Sequence, residues 1–403
     1  MYLSICLLVF LPLNLESFAY RLLSAFPVHL HRKSNEKIHR IMKIKNIFFA
    51  AILVLAGFSC SMEDDAIMND VEKGIEEATE AYTVLDFGVA FNEMATKAST
   101  TVVPGEDRPA TGDENNDEKK ISEVSVFLLE DGKVIGILIP QNRNQVSSNS
   151  DGSITLKDLK FVTKYKTNRT LEAHVVINGN QFLKNINIGD AQSALNQQIS
   201  GCLSADQLIK YGSTRIVFGK DITNSYPSPS VAENNPTTIL VKVSHVAARL
   251  DFSQFDVTLK DFEGNPTVVF DEAKFVNLQQ NGKIVEGDAS VNVKDGAFLN
   301  RSNRIGTRWT DMGTAYGYAN QYKQDSEMNT ALYVKFTVDG RTFEKTYPIN
   351  PAGITKEVDH NGIKGGYLYD IKVRWTITPD WGDSTIEFYT RDWVHNSIPE
   401  IVL

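Results

Sequence analysis

Scarcity sets the first limits on this chain: it has three cysteines and seven histidines in 403 residues, and its basic residues are outnumbered 41 to 50 by acidic ones. Two of the cysteines, Cys6 and Cys60, fall in the leader region discussed below. That leaves Cys202 alone and excludes a disulfide framework. Beyond the leader the histidines are His174, His245, His360 and His395. No two of them stand at metal-ligand spacing, so no metal site is expected, and a lone histidine on a strand reads as a surface or core residue. There is no Gly-x-Ser-x-Gly, no His-Glu-x-x-His and no phosphate-binding glycine loop. Cys202 lies in a helix-like segment without charged partners close in sequence, and reads as a small apolar side chain rather than a nucleophile. The carboxylates Asp380 and Asp383, or Asp251 and Asp261, have the chemistry of a glycosidase pair, but the sequence does not place them relative to each other. Tyr367, Tyr369, Trp375 and Trp381 fit core packing at alternating strand positions better than a carbohydrate platform. The expectation is a protein that is not an enzyme and holds no cofactor.

What the chain does have begins at Met42. The segment MKIKNIFFAAILVLAGFSC places Lys43 and Lys45 before an apolar run, Ile47 to Phe58, that is short for a membrane span. Gly57, Phe58 and Ser59 then lead into Cys60. Small residues before a cysteine are similar to the lipobox of bacterial lipoproteins, where the peptide is cut before an acylated cysteine and several acyl chains hold the product firmly at the membrane. Residues 42–59 are therefore read as a lipoprotein signal peptide, Cys60 as the lipidation site, and residues 1–41 as an upstream start that is not the true one. The acidic Ser61-Met62-Glu63-Asp64-Asp65 that follows resembles a signal for export to the outer face of the outer membrane.

Seven of the 41 basic and two of the 50 acidic residues precede Cys60, which leaves 34 against 48, a net charge of −14 for the processed chain. An acidic surface of that size, with no basic patch and interleaved aromatics to offset it, excludes nucleic acid as a partner. A processed chain of roughly 340 residues exceeds what one core usually organises, so two domains are expected.

Residues 60–81 are polar, acidic and without strand alternation, and read as a tether. Tyr82 onward is strand-like, with Val84, Phe87, Val89 and Phe91. Ala95 to Lys120 then dissolves into Thr, Pro, Gly and the charge run GEDRPATGDENNDEKK, which reads as an exposed loop. Ile121 to Leu129 and Val134 to Ile139 form a hairpin about Asp131-Gly132, a pair suited to the positive φ angles of a tight turn. Leu171 to Ile177 is a strand closing on Asn178-Gly179. Asp190 to Tyr211 carries helical spacing with N-cap candidates Asp190 and Ser204, so one or two short helices are expected. Ser225 to Pro236 has the composition of a connection, which puts a boundary near Pro236 between an N-terminal sandwich, 82–236, and a C-terminal one, 237–403. In the latter, Thr237 to Phe252, Val268 to Phe275, Ala331 to Asp339, Thr342 to Ile349, Tyr367 to Thr378 and Thr385 to Val394 read as strands.

Cys60, a strand before a protease-accessible loop, the hairpin ISEVSVFLLEDGK, LEAHVVING, VKVSHVAARLDF and the closing GGYLYDIKVRWTITPDWGD occur in an order that resembles the fimbrillin family, and within it the major subunits of the short fimbria, a type V pilus. The resemblance covers nearly all of residues 42–403. It rests on order and context rather than on one strict motif.

That resemblance implies a mostly β chain of two tandem transthyretin-like β-sandwiches with one or two short helices. It implies a precursor held in the outer membrane by lipid, cut by a trypsin-like protease in the loop after the first strand, and polymerised by strand exchange into a cell-surface fimbrium. Its partners would be other copies of itself and accessory fimbrial subunits, and its role adhesion. Removing the first strand of a sandwich leaves backbone groups unpaired and a groove open, and a strand from the next subunit satisfies both. The cut would follow Arg108, although Pro109 disfavours cleavage there, or Lys97. The family's donor strand is C-terminal, within about Asp383 to Leu403, and Ile386, Phe388, Trp393, Val394, Ile398, Ile401 and Leu403 are the candidate groove fillers. Pro399 interrupts that strand or sits on its outer edge. An apolar Ile-Val-Leu end also fits docking within its own chain. The alternatives are a fimbrial anchor or tip subunit, or a surface lipoprotein that binds glycan or host protein without polymerising.

Overall fold

A computed structural model describes residues 80–91, 116–285, 287–299, 304–353, 360–393 and 401–402. The lipobox with Cys60, the leader, the tether before residue 80, Lys97, Arg108, Val394, Ile398 and Leu403 lie outside the described residues.

The chain is mostly β, as expected. Nine strands come first: β1 (Tyr82–Phe91), β2 (Val124–Glu130), β3 (Lys133–Leu138), β4 (Val146–Ser148), β5 (Ile154–Lys164), β6 (Thr170–Ile177), β7 (Gln198–Ser200), β8 (Lys210–Val217) and β9 (Thr237–His245). Eight of these form one folded sheet in the order β3-β2-β6-β8-β9-β1-β5-β4. Strands β8 and β9 share only the pairs Lys210↔His245 and Tyr211↔Ser244. At that corner the sheet turns back on itself. It encloses Leu85, Phe87, Val89, Val126, Leu128, Val175, Val241 and Val243 as a core. The β2–β3 hairpin turns on Asp131 (φ 49°) and Gly132 (φ 72°), the left-handed pair that its sequence called for.

The remaining strands are β10 (Ala248–Leu259), β11 (Val268–Val276), β12 (Leu278–Gln279), β13 (Asn281–Lys283), β14 (Val293–Lys294), β15 (Phe298–Leu299) and β16 (Arg304–Ile305). They are followed by β17 (Arg308–Gly317), β18 (Ala331–Val338), β19 (Arg341–Pro348), β20 (Tyr367–Ile377) and β21 (Gly382–Asp392). Sheets β17-β10-β20-β21 and β15-β11-β18-β19 face each other. Between them lies an aromatic core in which Phe255 packs against Phe270 and Phe336 at 5.5 and 5.3 Å between ring centres. Edge-to-face pairs of this kind add about 1 kcal/mol each beyond area burial.

Three expectations shift. The strand Thr237–His245 belongs to the first sheet, not the second, so the chain changes sandwich at Val246–Ala247 instead of Pro236. Alternation marks β9 as a strand but does not say which core its apolar face meets. The region Asp190 to Tyr211, expected to hold one or two short helices, forms no α-helix. It holds single 3-10 turns at Gln192–Leu195 and Ala205–Gln207 with β7 between them. Gly201 and Cys202, both at positive φ, break it. Its apolar residues Leu195, Ile199, Leu208 and Ile209 cover the outer face of β2 and β6 instead. The connection Ser225 to Pro236 contains a one-turn helix, Pro229–Glu233, in which the Ser228 side chain accepts from the Val231 N–H.

A third apolar cluster joins the two sandwiches. Phe127, Leu129, Val176 and Ile209 from the first meet Ile284, Tyr318, Leu368 and Trp393 from the second.

The corner between β8 and β9 depends on Gly212, where an added Cβ would lie 1.8 Å from the Lys242 carbonyl oxygen. Because that neighbour is backbone, Gly212→Ala should lower unfolding free energy by about 3 kcal/mol, read as a shifted urea midpoint. An unchanged midpoint would contradict this account of the corner.

Candidate functional site

Strand β1 is the strand the resemblance marks for removal, and it lies inside its sheet rather than at an edge. On one side it pairs antiparallel with β5, from Tyr82↔Lys164 to Val89↔Ile154. On the other it runs parallel to β9, from Leu85↔Thr237 to Phe91↔Val243. Leu85, Phe87 and Val89 are fully buried and Phe91 nearly so, all on the core face, while Val84 is buried on the other face. Burial of five such side chains is worth on the order of 10 kcal/mol, an upper estimate comparable to the whole stability of an ordinary domain. Without a replacement for β1, the N-terminal sandwich would have two open edges and a core split along its length.

The end of the loop after β1 departs from expectation. Ala95 to Lys120 reads as exposed, yet its last residues turn inward as the 3-10 turn Asn116–Lys119, and Glu118 is fully buried. Its carboxylate accepts from Arg249 Nη1 at 2.9 Å and from the Tyr316 hydroxyl, both in the C-terminal sandwich. Its backbone carbonyl accepts from Lys210 Nζ of the N-terminal sandwich at 2.8 Å. Arg249 also reaches Asp251 at 3.0 Å. Burial alone would pull the Arg249 guanidinium down, but the charges of Asp251 and Glu118 hold it above its usual range. Burial, then Glu118, push the Tyr316 phenol up. Nothing in a run of Asp, Asn, Glu and Lys distinguishes Glu118 from its neighbours, because its partner lies 131 residues away.

Immediately downstream, the buried Asn178 side chain brackets Ile121. It donates to the Lys120 carbonyl at 2.9 Å and accepts from the Ser122 N–H at 2.9 Å. Asn178 was legible only as a turn residue.

The described donor candidates are all occupied within the chain. Ile386 and Phe388 lie in β21, paired with Val373 and Ile371 of β20, and Phe388 is part of the C-terminal core. Trp393 is buried at the junction, stacked on His245 of β9 at 3.7 Å and against Tyr316 of β17 at 5.8 Å. Ile401 is buried in the N-terminal core, paired in parallel with Ile121.

Other features carry structural roles. Tyr369 and Trp375 are core residues, and Trp381 stands half-exposed at the β20–β21 turn. Cys202 is half-buried with its thiol pushed up by burial, and takes a hydrogen bond from Gln181. An open cleft of about 610 Å³ is lined by Glu130, Lys166, Arg169 and Arg215 among others. Its central Arg169 is already held by both oxygens of Glu130 at 2.6 and 2.8 Å and by Thr163 at 2.6 Å. Among the described residues no group of His, Cys, Asp and Glu gathers as metal ligands, and no helix is long and apolar enough to cross a membrane.

No family model and no curated protein matches this chain by sequence. Solved structures do match it in fold. A candidate cell adhesion protein of Parabacteroides distasonis aligns with a TM-score of 0.54 at 17% identity, covering 78% of this chain and 98% of the other. A fimbrilin (FimA) of Porphyromonas gingivalis aligns at 0.45 and 14% identity over 77% of this chain and 98% of its own. The tip fimbrial protein of the same organism aligns at 0.41 and 12% identity over 77% and 100%. The first of these likenesses establishes the class: a tandem β-sandwich fold of the kind found in that adhesion protein.

Two outcomes follow from this geometry. Glu118→Ala takes from Arg249 one of its two carboxylates and from the buried Tyr316 hydroxyl its acceptor, and should cost about 3 kcal/mol, whereas Asp117→Ala, at the exposed end of a pair with Lys120, should cost under about 0.5 kcal/mol. Equal effects in denaturant titration would contradict the bridging role. A single cut between residues 92 and 115 should leave β1 bound, so that the two pieces co-elute on gel filtration and part only in denaturant. Spontaneous separation in native buffer would show that the ladders to β5 and β9 are weaker than argued.

Proposed function

We propose that this protein is a structural subunit of a cell-surface fimbrium, exported as a lipoprotein through Cys60, cut after Arg108 or Lys97, and polymerised by strand exchange. The observation that carries the reading is the position of β1, an interior strand with its apolar face buried, which ends at Phe91 just before, in sequence, the segment that holds both cleavage candidates. An interior strand is the one element whose replacement rebuilds the whole sandwich, because a new strand satisfies both flanking edges and refills the core at once. The fold shared with an adhesion protein supports the same reading. Other copies and accessory fimbrial subunits are the partners, a trypsin-like protease is the processing enzyme, and the protein itself has no catalytic role.

We infer a narrower donor than the sequence suggests. Since β21 and Trp393 complete their own core and junction, the donor is the segment after Trp393, with Val394, Ile398, Ile401 and Leu403 as its fillers, while Ile386 and Phe388 stay at home. The docking of Ile401 in its own chain favours a second reading, an anchor or tip subunit, or a surface lipoprotein, that does not donate its end.

N-terminal sequencing of surface-extracted protein, run beside an unboiled denaturing gel, separates the two. A stalk subunit should begin at Ala98 or Pro109 and give a heat-labile ladder. An N-terminus at Cys60 without a ladder would overturn the stalk reading and leave the second.

A further inference from the structure

We infer that β1 is an imperfect occupant of its own groove, and that the groove selects a strand with an aliphatic side chain where Thr83 stands and an uncharged one where Asp86 stands. The selection rests on the strand-exchange reading for its consequence; the fit of β1 stands apart from it. Thr83 lies two residues before Leu85, so its side chain points to the core face, and it is fully buried. Among the described residues its hydroxyl has no hydrogen-bond partner. Its cross-strand neighbour is Thr163, whose Oγ1 accepts from Arg169 Nη1 at 2.6 Å. A hydroxyl buried in this way keeps the full cost of leaving water, with no bond to offset it.

Asp86 repeats the pattern on the opposite face of the strand. Its Oδ1 is buried and has no hydrogen-bond partner among the described residues, while the residue as a whole is half-buried. On one side its neighbour is Thr238 of β9. On the other, Leu85 pairs with Phe161 and Phe87 with Leu156, so β5 bulges past Asp86 and sets no residue in register with it. Lys160 lies in that bulge, but its ammonium donates to the Glu233 carbonyl at 2.8 Å. Both flaws belong to the inserted strand, so they leave with it. A replacement that keeps the two ladders and the apolar fillers, but carries apolar side chains at these two places, avoids both costs. The groove thus holds β1 firmly and still favours a better strand.

The test uses the full chain, whole and cut between residues 92 and 115. In the whole chain Thr83→Val should raise the folding equilibrium constant about tenfold in urea titration. Thr238→Val, the same change at an exposed hydroxyl on β9, should raise it less than about twofold. In the cut chain Thr83→Val should keep β1 in place longer and slow assembly about tenfold. A synthetic Glu80–Phe91 peptide bearing Thr83→Val and Asp86→Val should outcompete the native peptide for the groove at equal concentration. Stability unchanged or lowered by Thr83→Val, an equal gain from Thr238→Val, assembly of the Thr83→Val chain at the wild-type rate, or no advantage for the altered peptide would overturn the inference. A stability gain and tighter binding of the altered peptide, with no assembly of the cut wild-type chain, would uphold the preference of the groove and remove the strand-exchange reading instead.

Discussion

Everything in the N-terminal half depends on one insertion, that of β1 between β5 and β9. It converts two strand edges into one continuous sheet and supplies Leu85, Phe87, Val89 and Phe91 to the core. A strand in that position cannot leave without either unfolding the sandwich or being replaced, since its burial is comparable in free energy to the whole margin of a domain. Cleavage of a neighbouring loop changes none of these contacts. It changes only whether β1 is tethered, and therefore whether a competing strand can displace it irreversibly.

The junction between the sandwiches adds a second constraint. An apolar cluster and a buried charge network both cross it, and the network includes Glu118, in the last turn of the loop after β1. The segment left by a cut is therefore pinned by Glu118 and Asn178 rather than freed, so the groove would open next to a rigid rim. Buried ion pairs contribute little net stability when intact and cost much when broken. Their use here is geometric, since Glu118 holds Arg249, Tyr316 and Lys210, drawn from both sandwiches, in one arrangement.

How much of this was legible follows from the range of each interaction. The β2–β3 hairpin, β6, β11, β18, β19, β20 and most of β21 announce themselves through alternation and turn residues, which are local signals. Strand β17 does not, because Asp311 and Gly313 at positive φ interrupt its alternation and shift its register against β10. The boundary at Pro236 fails because strand periodicity is silent about partners, and β9 finds its partner in β1, some 150 residues earlier in sequence. The helical spacing of Asp190 to Tyr211 serves as an irregular cover instead, once Gly201 and Cys202 break it. At the site, β1 was legible as a strand from its apolar run. Glu118, Asn178 and the resting place of Ile401 were not, for each acquires its role from a residue more than 50 positions away.

The account makes the β1 groove the binding site and an extended apolar strand its ligand, with a second copy of the chain as the source. A synthetic peptide spanning Glu80 to Phe91, added in excess to cut and assembling protein, tests this directly. The account predicts that the peptide occupies the groove at one copy per subunit and halts polymer growth, while a peptide with Leu85, Phe87 and Val89 replaced by serine does not. Growth at an unchanged rate, with the native peptide unbound, would contradict it.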